Sequence, residues 1–360
     1  MMKLSDREWK AISITSLFSN LEAGKINNAS ILKKTNIGGI EYIGATNRNN
    51  GCLYFVEKDE ILYSKVQKGN CIGFIKDGDG SAGYAIYKKE AFVSTVNVIY
   101  GYADWLNKYT GLFFVTTQNL IKNKYSHGYK RNYEHLKGDK VMLPVNDNGE
   151  PDYIFMEAFI KEREAEKRKE YIDYCKKQLE NIGGGYNLIP LEDKEWQSFF
   201  IVDIFDNIQR GKRLKTADHL SGKVPYVSSS SLNNGVDNFV SNKKGVRRFS
   251  NCISLANSGS VGSSFYEPFE FVASDHITHL KNEEFNKYHY LFLATMTSRL
   301  SQKYNFNREI NDKRISREII LLPLDDEGVP DYEYMEQYSK NLICKKIRNY
   351  LDYVLAENHS

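Results

Sequence analysis

The chain has 360 residues, 41% hydrophobic and 26% charged, with a formal net charge of +3. This is enough chain for two domains of ordinary size, each with its own core, and no apolar run approaches the ~18 residues of a membrane span. So small a net charge argues against a non-specific nucleic-acid coat, and five widely spaced cysteines without a CxxC pair argue against a zinc site or a disulfide framework. The opening MMKLSDREWK lacks the apolar core of a signal peptide, so a cytoplasmic location is expected.

In chain order, "EWKAISITSLFSNLEAGK" (8–25) leads into short β-like runs such as "IEYIGA" (40–45), separated by Asn-Gly and Gly-rich turns. The apolar stretch "YTGLFFVTTQNLI" (109–121) predicts a helix. A basic, Tyr-containing segment (122–140) follows, then a strand into "LPV", then a long helix after Pro151-Asp152. In that helix Met156, Phe159, Ile160, Tyr171, Cys175 and Leu179 fall at three- and four-residue spacing around the charged centre "KEREAEKRKE". "NIGGGYN" (181–187) reads as a flexible joint.

The plan then starts again. "EWQSFFIVDIFDNIQRGK" (195–212) repeats 8–25, "VPYVSSSSLNNG" (224–235) repeats 40–51, and "NKYHYLFLATM" (286–296) repeats 107–117. "LPLDDEGVPDYEYME", from Leu322, repeats "LPVNDNGEPDYIFME", from Leu143, and ten of the 20 residues from Met142 to Lys161 match those 179 positions later. Two long repeats mean a duplicated domain and not a solenoid. Asp152 and Asp331 suit N-cap positions. The second long helix carries its own apolar stripe, Met335, Tyr338, Leu342, Ile343, Ile347, Tyr350, Leu351 and Val354. The two stripes predict an antiparallel coiled-coil pair; packing of each helix on its own domain is the plainer alternative.

Catalytic motifs are not apparent. "NSGSVGSSF" (257–265) has no Lys-Ser/Thr and fails as a phosphate loop. His276 and His279 of "DHITH" have no counterparts in "VNVIY" (96–100), so they read as solvated or DNA-facing histidines on a strand and not as metal ligands. The two Pro-Asp pairs lack the carboxylate-x-Lys of a nuclease, methyltransferase motifs are missing, and Ser/His/Asp catalysis has no elbow. The expectation is no catalytic residue and no metal.

A binding surface remains. Segments 122–140 and 299–317 each hold six basic residues against two acids, interleaved with aromatics and amides that suit phosphates and base edges. "RGKR" (210–213) and "NKKGVRR" (242–248) add two basic loops. The candidate DNA-binding residues are Lys25, Lys122, Lys124, Tyr125, His127, Lys130 and Arg131 in the first repeat. In the second they are Arg210, Lys212, Arg213, Lys243, Lys244, Arg247, Arg248, Arg299, Lys303, Tyr304, Asn307 and Arg308.

"EWQSFFIVDIFDNIQRGKRL", "GKVPYVSSSSLNNGV" and "LPLDDEGVPDYEYMEQYSK", in this order and twice over, resemble the DNA-specificity (S) subunits of type I and related type IIB restriction-modification systems. The resemblance spans nearly the whole chain. It implies an α+β fold: two tandem target-recognition domains of twisted mixed β-sheets with short helices, each followed by a long spacer helix. The expected boundaries are 1–150, 151–182, 183–329 and 330–357. It also implies a non-catalytic subunit that binds double-stranded DNA of split sequence and docks methyltransferase subunits, two of them in the simplest case, with restriction subunits as further partners. S-adenosylmethionine would bind the methyltransferase, and this chain would hold no cofactor. "LEAGKINN" in the first repeat is less basic than "IQRGKRLK" in the second, which weakens the DNA assignment there. Two other readings stay open: a self-contained site-specific nuclease or methyltransferase, and an interaction subunit that no longer reads DNA.

Overall fold

The two related phrases fold alike. In the computed structural model, which describes residues 1–78, 80–126, 128–183, 185–305 and 307–357, Lys140–Val145 is a strand paired antiparallel with Glu8–Ser13, Trp9 opposite Pro144 and Ile12 opposite Val141. Ile319–Pro323 pairs in the same way with Trp196–Phe200. Each returning strand alternates buried and exposed side chains over its first residues, as a strand covered on one face must. After the turn, Asp152 accepts the Phe155 amide at 2.8 Å and Asp331 accepts the Tyr334 amide at 2.8 Å, so both aspartates are the expected N-caps. The helices they start run Tyr153–Ile182 and Tyr332–Glu357.

Contacts divide the chain into two units, Met1–Tyr171 and Ile172–Ser360, with the boundary inside the first long helix. In the first unit a four-stranded antiparallel sheet has the order Asn20–Ala23, Val98–Tyr102, Cys71–Ile75, Ala85–Lys88. A three-stranded sheet, Cys52–Val56, Ile40–Ile43, Phe92–Ser94, mixes an antiparallel and a parallel pairing. "CIGFI" is buried at every position, so the central strand is covered on both faces and reads as an unbroken apolar run. The helix Lys108–Gln118 closes one face. Phe18 stands edge-on to Phe74 and Phe114, each at 5.5 Å, and Phe155 and Met156 of the long helix join this core. Burying each such ring contributes about 1.5–3 kcal/mol.

The second unit repeats the scheme with Asn207–Arg210, Ile277–Lys281, Cys252–Ala256 and Ser264–Glu267 in one sheet. Its other sheet gains a strand: Val236–Val240, Ser221–Val227, Phe271–Ala273, Arg248–Phe249. Lys287–Ser298 is the equivalent helix, and Met335 enters its core. The predicted Asn-Gly turns are present: Asn50 and Gly51 have φ of 47° and 80°, Asn234 and Gly235 of 52° and 76°. A Cβ on Gly51 would also meet Ile86 Cδ1 at 2.6 Å, so glycine is required there twice over. The starts of both long helices therefore pack on their own domains, the plainer of the two expectations for those turns.

The repeats differ in their buried charge. Lys88 is buried and paired with Glu41 at 2.5 Å. The equivalent Glu267 is fully buried, accepts from Ser254 at 2.8 Å, and has no partner on Oε2 among the described residues. Burial pushes its carboxyl up to about 7. All five cysteines are buried free thiols. No helix among the described residues is long and apolar enough to cross a membrane.

Candidate nucleic-acid interface

The Gly-Lys step opens the interface in each repeat. Gly24 donates to the Val98 carbonyl at 2.9 Å and Gly211 to that of Ile277 at 2.8 Å. A Cβ would lie 2.0 Å from the Thr95 oxygen in one and 2.1 Å from the Ser274 oxygen in the other, so only glycine lets the backbones approach. This common geometry places Lys25, half-buried, and Lys212, exposed, at equivalent points, with Arg213 exposed next to Lys212.

Arg210 corrects the sequence reading. It is half-buried, and its Nε donates to the Asp275 carbonyl at 2.5 Å, so it ties its strand to the Asp275 turn. Arg247 is exposed but donates to the Arg210 carbonyl at 2.5 Å. Arg248 is half-buried between Glu270, at 3.2 Å, and the Asn242 carbonyl, at 2.7 Å. Lys243 and Lys244 are exposed on the loop before it. His279 also departs from expectation. It is a core side chain, stacked on Phe249 at 3.8 Å, with burial lowering its pKa. His276 remains half-exposed and contacts Ser258.

The two basic segments share one internal device. Tyr125 donates its hydroxyl to Asp139 at 2.7 Å, and Lys124 Nζ reaches the same carboxylate at 2.7 Å. At the equivalent places Tyr304 and Lys303 bind Glu318, the lysine at 2.8 Å. Each acid is buried, whereas each lysine side chain is about half exposed, 46% and 49%. The tyrosines are therefore buried supports, which corrects their assignment as DNA contacts. Burial and the adjacent carboxylate raise both phenols, that of Tyr304 to about 12.

Arg131 is the larger correction. It is 0% exposed, donates through Nε to Asp139 at 2.9 Å and through Nη1 to the Gly83 carbonyl at 3.2 Å, and lies over the Phe74 ring. Burial pulls its guanidinium down from its ordinary value against the opposing pull of Asp139. A guanidinium so enclosed cannot reach a phosphate. The second repeat has the buried Ile310 at this point. Lys122 donates to the Tyr84 hydroxyl at 2.7 Å, and Lys130 pairs with Asp77 at 2.6 Å. Arg299, Asn307 and Arg308 are exposed, Arg308 lying over the Tyr304 ring at 5.3 Å. His127 lies outside the described residues.

Sequence reasoning missed the two carboxylates, although the signal was available: Lys-Tyr is followed 14 residues after the tyrosine by Asp139 in one repeat and Glu318 in the other. The exposed cations and amides include Lys212, Arg213, Lys243, Lys244, Arg299, Asn307 and Arg308 in the second repeat, and Lys124 and Lys130 in the first, these two also ion-paired with Asp139 and Asp77.

Comparison with known proteins identifies the family. The family model for the type I restriction modification DNA specificity domain matches twice, over residues 6–173 and 193–352. The specificity subunit S.BcgI of a type II restriction enzyme from Heyndrickxia coagulans is 29% identical over 316 residues, covering 87% of this chain and 88% of that protein. Among solved structures, the type I restriction-modification S subunit from M. genitalium covers 99% of this chain and 94% of that one, at 18% identity and a TM-score of 0.49. The HsdS subunit from Thermoanaerobacter tengcongensis covers 95% and 90%, at 11% identity and a TM-score of 0.32. With both repeats matched over most of their length, the chain belongs to the family of type I restriction modification DNA specificity domains and is a DNA-recognition specificity subunit.

Proposed function

We propose that each repeat reads one half of a split DNA sequence, and that the chain delivers methyltransferase subunits to the site so defined. Residues 1–150 and 183–329 are then the recognition domains, and 151–182 and 330–357 the spacer helices on which the partners dock. The observation that carries this reading is the double match to one DNA-specificity domain, a duplication that a single uninterrupted target would not call for. The similarity to a specificity subunit of a type II restriction enzyme supports a partner that modifies or cuts.

The physical division of labour follows. Exposed lysines and arginines neutralise phosphates and supply affinity, with a salt slope of about −0.9 per phosphate. Asn and Arg side chains in the major groove supply discrimination, ~1–3 kcal/mol for each good bidentate pair. A 30-residue helix is about 45 Å long, slightly more than the ~34–36 Å of one DNA turn, so the spacer has the length to set two reading heads one turn apart. Adenine methylation requires the base to leave the stack, a step this reading assigns to the partner together with S-adenosylmethionine.

The test is methylation mapping in cells that carry the chain with its neighbouring methyltransferase, with and without this gene. A split motif with modified adenines, present only with the gene, is the expected result. Unchanged methylation would refute it. The purified chain alone, given DNA and a methyl donor, is expected to transfer nothing.

A further inference from the structure

Between the paired lysine-tyrosine and the next asparagine, the two repeats part completely. "KY" is followed by "SHGYKR" and then Asn132 in one, and by "NFNREI" and then Asn311 in the other, with no identity across the six intervening positions. Their frame is nevertheless the same. Ser126 and Tyr129 exchange main-chain hydrogen bonds of 3.0 and 3.3 Å, as Asn305 and Arg308 do at 2.9 and 3.2 Å. Asn132 caps the following short helix through the His135 amide, and Asn311 does so through that of Arg314. The His135 ring donates to the Lys130 carbonyl at 2.6 Å, and the Arg314 guanidinium donates to the equivalent Glu309 carbonyl. Beneath each turn lies the lysine-tyrosine-carboxylate clamp. At the sixth position Arg131 and Ile310 are both buried, so divergence there is a matter of core packing.

We infer that these two clamped turns are the specificity-determining tips of the chain, with Tyr129 and Lys130 reading in the first repeat and Asn307 and Arg308 in the second. This rests on the proposed reading of split DNA. The same pair of main-chain hydrogen bonds and the same capping asparagine, framing a turn with no residue in common, are what two readers of different half-sites require. If the turn served only to grip phosphate, its cations would be expected at equivalent places. Instead Tyr129 stands at the position of Arg308, and Lys130, paired with Asp77, at that of Glu309. The second tip holds the groups with directional donors: an exposed guanidinium, which matches guanine O6 and N7, and an exposed amide, which matches adenine N6 and N7. Arg308 lies over the Tyr304 ring, whose hydroxyl is fixed by Glu318, so the guanidinium is held partly ordered before DNA arrives.

The tip of the first repeat can be written onto the second with Asn307→Gly, Arg308→Tyr and Glu309→Lys. The transplant runs in this direction because Gly128 has φ of 99°, which Asn would adopt only with strain. The full chain with its methyltransferase is used to select from duplexes randomised over the split target, and a thermal melt confirms folding. The expected result is a changed preference at one to three base pairs of one half-site, by roughly 10- to 100-fold each, with the other half-site untouched. Arg308→Lys keeps the charge but not the planar fork, and is expected to lose preference at one position, with affinity falling for the preferred duplex and not for duplexes changed at that position. An unchanged half-site in both variants would overturn the inference, as would a loss uniform across all sequences. If the unmodified chain selects no split sequence at all, the reading function itself falls, and the tips with it.

Discussion

Asn286 caps the helix Lys287–Ser298 and at the same time donates from Nδ2 to Glu336 at 2.9 Å, in the second turn of the helix Tyr332–Glu357. Asn107 and Glu157 make the same contact at 2.8 Å. One side chain thus starts the recognition-domain helix and fixes it to the long helix, twice in the chain. A second duplicated tie accompanies it: Arg7 binds the capping Asp152, and Lys194 the capping Asp331, both at 2.8 Å.

Asn286→Asp should separate the two roles of this residue. Aspartate keeps the cap acceptor but removes the amide donor and turns a carboxylate toward Glu336, so the loss reports the cross-helix contact together with like-charge repulsion. About 1 kcal/mol is expected, and Asn286→Ala should cost about 1 kcal/mol more through the missing cap. Urea unfolding of both variants checks this; equal stability of Asn286→Asp and the unmodified chain would remove the contact from the account.

The clamps should respond unequally to loss of their acid. Asp139→Ala strands the fully buried Arg131 and is expected to cost about 3–5 kcal/mol. Glu318→Ala leaves a half-exposed Lys303 that returns to water, and its main cost is the orphaned Tyr304 hydroxyl, about 1–3 kcal/mol. Arg131→Ile reproduces the arrangement of the second repeat, where among the described residues Lys303 and Tyr304 satisfy the carboxylate, and should cost less than Asp139→Ala. Denaturant midpoints of the three variants give the order.

Glu267 should make stability depend on pH. Its folded pKa, about 7, lies above its ordinary value of 4.5, so the folded state holds the proton more tightly. The associated stability is complete below pH ~4.5 and is lost as pH rises through 7. Glu267→Gln removes the titration. It is expected to be nearly neutral at pH ~4 and stabilising at pH ~8, by up to about 3 kcal/mol from ~1.4 kcal/mol per pKa unit. Melting temperatures at the two pH values decide it. A variant difference that does not change with pH would show that the buried carboxylate is not the cause.

The salt dependence of DNA binding should sort the basic residues by exposure. Removing Arg213, Lys243 and Lys244 together by alanine substitution is expected to lower the slope by ~0.9 for each that touches a phosphate. Arg131→Ile should leave the slope unchanged, because its guanidinium never meets solvent. Fluorescence anisotropy at a series of salt concentrations measures both.

The sequence by itself determined the architecture at the level of repeats and caps. A ten-in-20 identity at constant offset needs no coordinates to reveal a duplicated domain. Pro-Asp before an apolar stripe starts a helix for local reasons: the capping carboxylate, the dipole and the three-to-four spacing all lie within one segment. Asn-Gly turns are equally local, since the left-handed backbone belongs to those residue types. Which basic residues face solvent was decided only by tertiary structure. Lys124 and Arg131 look alike in a basic run. The fold brings Asp139 under both, leaves one half-exposed and encloses the other completely. Arg210, His279 and the two clamp tyrosines were drawn inward in the same way, by partners 14 to 70 residues away. Burial is set by what the rest of the chain lays over a side chain, and polar groups taken from water must find partners wherever the fold provides them.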